Sequence, residues 1–136
     1  MKGFTLIELL IVIGIIGVLA AVVLVGIDPV DKINAANDSK VQRDINALAN
    51  AMESYAANSN GTYVTLQSSL VTHGDLKVAL TAPGGYITYG LSGGAQAATV
   101  YGQLKSKKYT SANTPTFVWC SNSGRAGATA SSTTCP

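Results

Sequence analysis

Histidine, cysteine and acidic residues are scarce in this 136-residue sequence, and their scarcity limits the chemistry that it can perform. The only histidine is His73, and a nucleophilic site needs a base together with an orienting group. The glycine pairs Gly84-Gly85 and Gly93-Gly94 lack the lysine and the helix context of a phosphate-binding loop. We therefore expect a protein that is not an enzyme and that binds no cofactor.

Acidic residues are absent after Asp75, whereas five basic residues remain in that part of the chain. The resulting charge of about +5 favours contact with DNA or with another anionic surface. The alternative is an ordinary solvated surface. The candidate residues for binding a polyanion are Lys105, Lys107, Lys108 and Arg125.

The sequence has only two cysteines, Cys120 and Cys135. Zinc would need four ligands, and His73 lies in an unrelated segment. A disulfide that closes a loop of about 15 residues contributes about 3 kcal/mol in the chain-entropy model. We favour the disulfide, which implies that this part of the chain lies outside the cytosol.

The longest feature that is present is a nearly continuous apolar segment from Phe4 to Ile27, which bears one carboxylate, Glu8, and one hydroxyl, Thr5. About 20 apolar residues suffice for a helix to cross a bilayer. A carboxylate costs about 2.5–3.5 kcal/mol near the centre of such a helix, so it usually has a partner. Glu8 therefore indicates docking against other protein, and Lys2 favours a cytoplasmic start with the remainder exported.

The start of this segment closely resembles the class III signal of type IV pilins and the related pseudopilins. The residues that carry the resemblance are Gly3-Phe4-Thr5-Leu6-Ile7-Glu8-Leu9-Leu10. In that family a prepilin peptidase cleaves after the glycine and methylates the new amino terminus. The resemblance implies cleavage between Gly3 and Phe4, N-methylation of Phe4, and pairing of Glu8 with the Phe4 amine of a neighbouring subunit.

The resemblance also implies three parts: a leader peptide at residues 1–3, a hydrophobic transmembrane and filament-core helix at 4–28, and a globular head with a C-terminal disulfide loop at 29–136. The implied partners are other copies of the chain in a helical homopolymer, the prepilin peptidase and the pilus assembly machinery, with DNA or anionic surfaces as further candidates. The calcium site of the major pseudopilins cannot be carried over, because its carboxylates would lie after Asp75. No metal is expected.

The remaining pattern predicts an α+β, pilin-like fold. Asp28-Pro29 indicates either a kink at Pro29 or the end of one helix and the capped start of another. An amphipathic helix is predicted from Val30 to Ala57, and three β-rich runs should form an antiparallel sheet across it. The helix stripe is Ile33, Val41, Ile45, Leu48, Met52 and Tyr55, and the β-rich runs are Gly85–Leu91, Thr99–Leu104 and Thr116–Cys120. The small, polar tail after Cys120 should be a loop held by the disulfide.

These observations favour a structural subunit of a type IV pilus, a fibre that serves adhesion, twitching motility or DNA uptake. The chain would begin as a precursor in the cytoplasmic membrane and end in an extracellular fibre. One alternative is a pseudopilin of a secretion or competence system, and another is a membrane-anchored binding domain that does not polymerise. A secreted domain behind a signal peptide cleaved near Ala21 is a further alternative.

Overall fold

A computed structural model describes residues 3–136 and shows a long, interrupted N-terminal helix packed on a small antiparallel sheet. The α+β fold class is confirmed. The predicted leader includes Met1 and Lys2, which lie outside the described residues. The elements are α1 Leu6–Ile27, α2 Pro29–Asn58, α3 Gln67–His73, β1 Gly90–Gly93, β2 Ala98–Gln103, α4 Lys107–Thr110, β3 Thr116–Cys120 and β4 Arg125–Thr129.

A single residue, Asp28, separates α1 from α2. Its backbone is left-handed, with φ of 45°, and its side chain caps α2 by accepting a hydrogen bond from the amide of Asp31 at 3.4 Å. Pro29 occupies the first turn of α2, where its missing N–H costs nothing. Of the two arrangements that Asp28-Pro29 allows, the structure therefore has the break and the new cap.

The hydrophobic core lies between α2 and the sheet. Val41, Ile45, Leu48 and Met52 are fully buried, as the amphipathic stripe predicts. The prediction is wrong for Ile33, which is 62% exposed. It lies before the part of α2 that the sheet covers, and a repeating pattern cannot show where a covering sheet begins.

The helix approaches β2 closely at Gly102. A Cβ atom at that position would lie 2.8 Å from Cγ1 of Val41 and 3.0 Å from Cδ1 of Tyr89. Glycine at this strand position thus makes room for both buried side chains.

The sheet has four strands in the order β1-β2-β3-β4, and each neighbouring pair is antiparallel. The sequence predicts only three strands, and its first run begins too early, because β1 starts at Gly90. The missed strand, β4, consists of Arg125-Ala126-Gly127-Ala128-Thr129. Its small residues have little β-propensity, so its pairing with β3 is what makes it a strand.

The C-terminal segment covers the sheet face opposite α2. Cys120 and Cys135 are joined by a disulfide, with their Cα atoms 5.8 Å apart. A Cβ atom at Gly127 would lie 2.9 Å from the ring of Pro136. Val118 pairs with Gly127 in the sheet and is fully buried, so the C-terminal segment covers this second face around Val118.

Candidate assembly site

The carboxylate of Glu8 turns back onto the first turn of α1. Its Oε2 accepts hydrogen bonds from the amide of Thr5 at 2.9 Å and from the hydroxyl of Thr5 at 2.6 Å. The Glu8 amide in turn donates to the Thr5 hydroxyl at 3.3 Å. This reciprocal arrangement is a capping box. The spacing Thr-x-x-Glu indicates it in the sequence, and our sequence reasoning missed it.

The capping box places the acid next to the predicted cleavage point. Phe4 directly precedes Thr5, so the carboxylate lies near the backbone that would become the amino terminus. Glu8 is exposed in the single chain, and a second molecule can therefore approach it.

The rest of α1 presents apolar side chains to its surroundings in every direction. None of its residues is buried, and its large side chains range in exposure from 46% at Val12 to 85% at Val25. The 22 residues of α1 extend for about 33 Å, which matches a hydrocarbon core of about 30 Å. Among the described residues, one helix is long and apolar enough to cross a membrane. Water is a poor solvent for this surface, so lipid or other helices must cover it.

Three aspartates of α2 and its cap hold the segment that links β2 to α4. Asp38 is 1% exposed and accepts hydrogen bonds from the amides of Lys105 and Ser106 at 2.9 and 2.8 Å. Asp31 accepts one from the amide of Lys107 at 2.6 Å. Asp28 forms an ion pair with the Lys107 side chain. The sequence shows where these three acids lie, but it does not show which amides and which lysine they bind.

Two tyrosines complete the polar contacts of α2. Tyr86 donates to Asp38 at 2.8 Å, and Tyr89 donates to Asp44 at 2.6 Å. Burial and the bonded carboxylate raise the pKa of both phenols far above the usual value near 10. Asp44 also pairs with Lys40 at 2.6 Å.

The four candidate polyanion-binding residues have different surroundings. The Lys105 ammonium donates to the carbonyl of Gly85 and lies 5.0 Å from the centre of the Tyr86 ring. The hydrogen bond to Asp28 raises the pKa of Lys107. Lys108 lies over the ring of Tyr109 at 5.0 Å, and Arg125 is exposed in β4. Two of the four cations, Lys105 and Lys107, thus have polar partners within the chain.

Comparison with known proteins addresses the N-terminal segment directly. Residues 1–24 match a family model described as the prokaryotic N-terminal methylation motif. The chain is also 42% identical over 73 residues to the type IV wide pilus major component PilA4 of Thermus thermophilus. The chain is therefore similar to type IV pilins over part of its length. The matched region covers 54% of the chain and 53% of its relative, so the chain spans about half the length of the curated protein that it matches.

No solved structure matches this chain significantly.

The only histidine belongs to a small polar cluster at the far end of α2. Nδ1 of His73 lies 2.7 Å from Asp75, whose other oxygen accepts a hydrogen bond from the hydroxyl of Ser54 at 2.6 Å. The Ser54 bond lowers the pKa of Asp75 below its ordinary value, with a smaller contribution from His73. The cluster ties α3 and the loop after it to α2. No group of three or more potential metal-binding side chains occurs within residues 3–136.

Proposed function

We propose that the chain is a structural subunit of a type IV pilus that polymerises through its N-terminal helix. The observation that carries this proposal is the bare apolar surface of α1, which the chain's own head leaves wholly uncovered. Bundled copies of α1 would cover that surface in a fibre, as lipid would in the membrane. The methylation motif and the pilus component of Thermus support the same function.

The proposed path begins with a precursor in the cytoplasmic membrane. Prepilin peptidase removes residues 1–3 by cutting between Gly3 and Phe4, and the new amine of Phe4 is methylated. Residues 4–28 then form the transmembrane and filament-core helix, and residues 29–136 form the head. The assembly machinery builds an extracellular fibre that serves adhesion, twitching motility or DNA uptake.

In this proposal Glu8 aligns incoming subunits by pairing with the Phe4 amine of a neighbour. A carboxylate in lipid is unfavourable by about 2.5–3.5 kcal/mol near a helix centre, and a cationic partner relieves part of that cost. The contacts with Thr5 direct the acid toward the amino-terminal end of its own helix. The neighbour's amine would have to approach from that end.

Intact-mass analysis of material sheared from whole cells tests the processing and the polymerisation together. A chain that begins at Phe4, one methyl group heavier and two hydrogens lighter, is the expected species. A chain found only in membranes and still carrying Met1 would support the anchored binding domain. Cleavage near Ala21 would support the secreted domain.

The role of Glu8 has a matched control, because the only other glutamate is Glu53, which is exposed on α2. We expect Glu8→Ala to be cleaved and methylated normally but to give far less sheared fibre than wild type. Glu53→Ala should give wild-type amounts of fibre. Normal fibre yield from Glu8→Ala would contradict the alignment role.

A further inference from the structure

We propose that Lys107 and Asp28 form a latch that sets the direction of α1 relative to the head. Asp28 is the one residue between α1 and α2, and the Lys107 ammonium forms an ion pair with its carboxylate. The two residues are 79 positions apart in the sequence. The pair therefore joins the head directly to the break in the long helix.

The break itself follows from Pro29. A proline inside a helix clashes with the carbonyl four residues earlier and disfavours a helical conformation for the residue before it. Asp28 accordingly has a φ of 45°, which lies in the left-handed region that residues other than glycine rarely adopt. Pro29 thus explains why the helix is interrupted, but a proline alone does not choose the direction in which α1 leaves.

The head offers a fixed point from which that direction can be set. The amides of three successive residues, at positions 105–107, donate to Asp38 and Asp31 of α2. The Asp38 anchor is almost completely buried. Since these bonds hold the start of α4 on α2, the Lys107 side chain extends from a well-supported backbone.

The latch is placed where it can open without disturbing the core. The side chains of Lys107 and Asp28 are 72% and 42% exposed, whereas α1 itself buries no residue. Loss of this pair would leave only the backbone and the cap hydrogen bond with Asp31 to set the direction of α1, while the head stays folded. The importance of that direction rests on the proposed function, because a fibre needs every α1 to enter the bundle at the same angle to its head.

Distance measurement between two spin labels tests the latch on single copies of the full chain in phosphatidylcholine nanodiscs. One label replaces Leu19 in α1 and the other replaces Gln96 in the exposed β1–β2 turn, with the native disulfide kept oxidised. The matched pair of variants is Lys107→Gln and Lys108→Gln. Both remove one charge from α4, but Lys108 lies over the Tyr109 ring rather than on Asp28.

We expect one narrow distance distribution for wild type and for Lys108→Gln, and a distribution at least about twice as wide for Lys107→Gln. Lys107→Arg, which keeps the charge, should remain narrow. An unchanged width in Lys107→Gln, equal broadening in Lys108→Gln, or a broad distribution in Lys107→Arg would overturn the proposal. A large fall in the melting temperature of Lys107→Gln would also overturn it, because Lys107 would then be a general stabiliser of the head.

These distances do not depend on polymerisation. A chain that forms no fibre can still show the latch, and a chain that forms fibres can lack it. Failure of the latch is therefore distinguishable from failure of the proposed pilus function.

Discussion

Asp38 offers the most demanding test of how this head is held together. Its carboxylate is 1% exposed and accepts three hydrogen bonds, from the amides of Lys105 and Ser106 and from the hydroxyl of Tyr86. Asp38→Ala removes the acceptor for all three donors at once. A hydrogen bond to a charged group contributes about 1.5–3 kcal/mol, and a buried donor left without a partner costs about 1–3 kcal/mol.

These contributions are not additive, and the substitution also removes the cost of burying the charge. We therefore expect Asp38→Ala to lower the free energy of unfolding by about 3–5 kcal/mol, a large share of the roughly 5–15 kcal/mol of a typical domain. Chemical denaturation of the full chain in detergent micelles can measure this loss. The only tryptophan, Trp119, is 6% exposed and reports on the core by its fluorescence.

Two control variants sharpen the result. Asp31→Ala removes a single, exposed hydrogen bond and should cost less than about 1 kcal/mol. Asp38→Asn keeps one acceptor oxygen, so its loss should lie between those of the two alanine variants. An unfolding free energy within about 1 kcal/mol of wild type for Asp38→Ala would refute the reasoning. An Asp38→Asn variant more stable than wild type would also refute the reasoning. The free-energy cost of burying the carboxylate would then exceed the stabilisation from its hydrogen bonds.

Three further predictions concern other parts of the head. Because the folded-state pKa of Asp75 is lowered, the contribution of Asp75 to stability is present above about pH 4 and is lost as the pH falls through the folded-state pKa. Asp75→Asn should therefore make the melting temperature depend less on pH in the acid range. An unchanged slope would contradict this. Gly102→Ala should destabilise the head by about 1–3 kcal/mol in the denaturation assay, since the new methyl group would overlap a buried valine; a stability equal to wild type would show that the contact relaxes freely. If fibres bind DNA through cations that form no ion pair, Lys108→Gln should reduce retention on DNA at low salt more than Lys107→Gln does, since each variant removes one charge but Lys107 is paired with Asp28. Equal losses would mean that the ion pair with Asp28 does not keep Lys107 from binding DNA.

The two long helices, α1 and α2, could be predicted from the sequence because their signals are local, whereas α4 was not predicted. The apolar segment, the Asp28-Pro29 pair and the stripe from Val41 to Met52 each follow from a few neighbouring residues. The cysteine pair was also readable, because the chain has no other cysteine. The helix-packed sheet could be anticipated from the β-rich runs, although its exact edges could not.

What could not be predicted depends on partners that a local pattern does not reveal. β4 is a strand because it pairs with β3, not because of its own residues. The two tyrosines at 86 and 89 look like strand residues, but their hydroxyls bind Asp38 and Asp44 and the chain there stays outside the sheet. Lys107 looks like a free surface cation until the fold brings Asp28 to it. In each case the deciding contact forms only once the chain has folded.

In the C-terminal segment over the sheet, the residues that face solvent are mostly not the residues that stabilise the fold. Beneath it, Val118 and Cys120 are buried, whereas the stretches 122–126 and 133–136 are exposed. The disulfide and the β3–β4 pairing hold this cover in place through the backbone and one covalent bond, and they make little use of its small polar side chains. Apart from Cys135 of the disulfide and Gly124, whose φ is 61°, the exposed positions can therefore change identity at little cost to the fold. In the proposed fibre, a lineage could alter what the subunits present to the surroundings while every subunit keeps the same core.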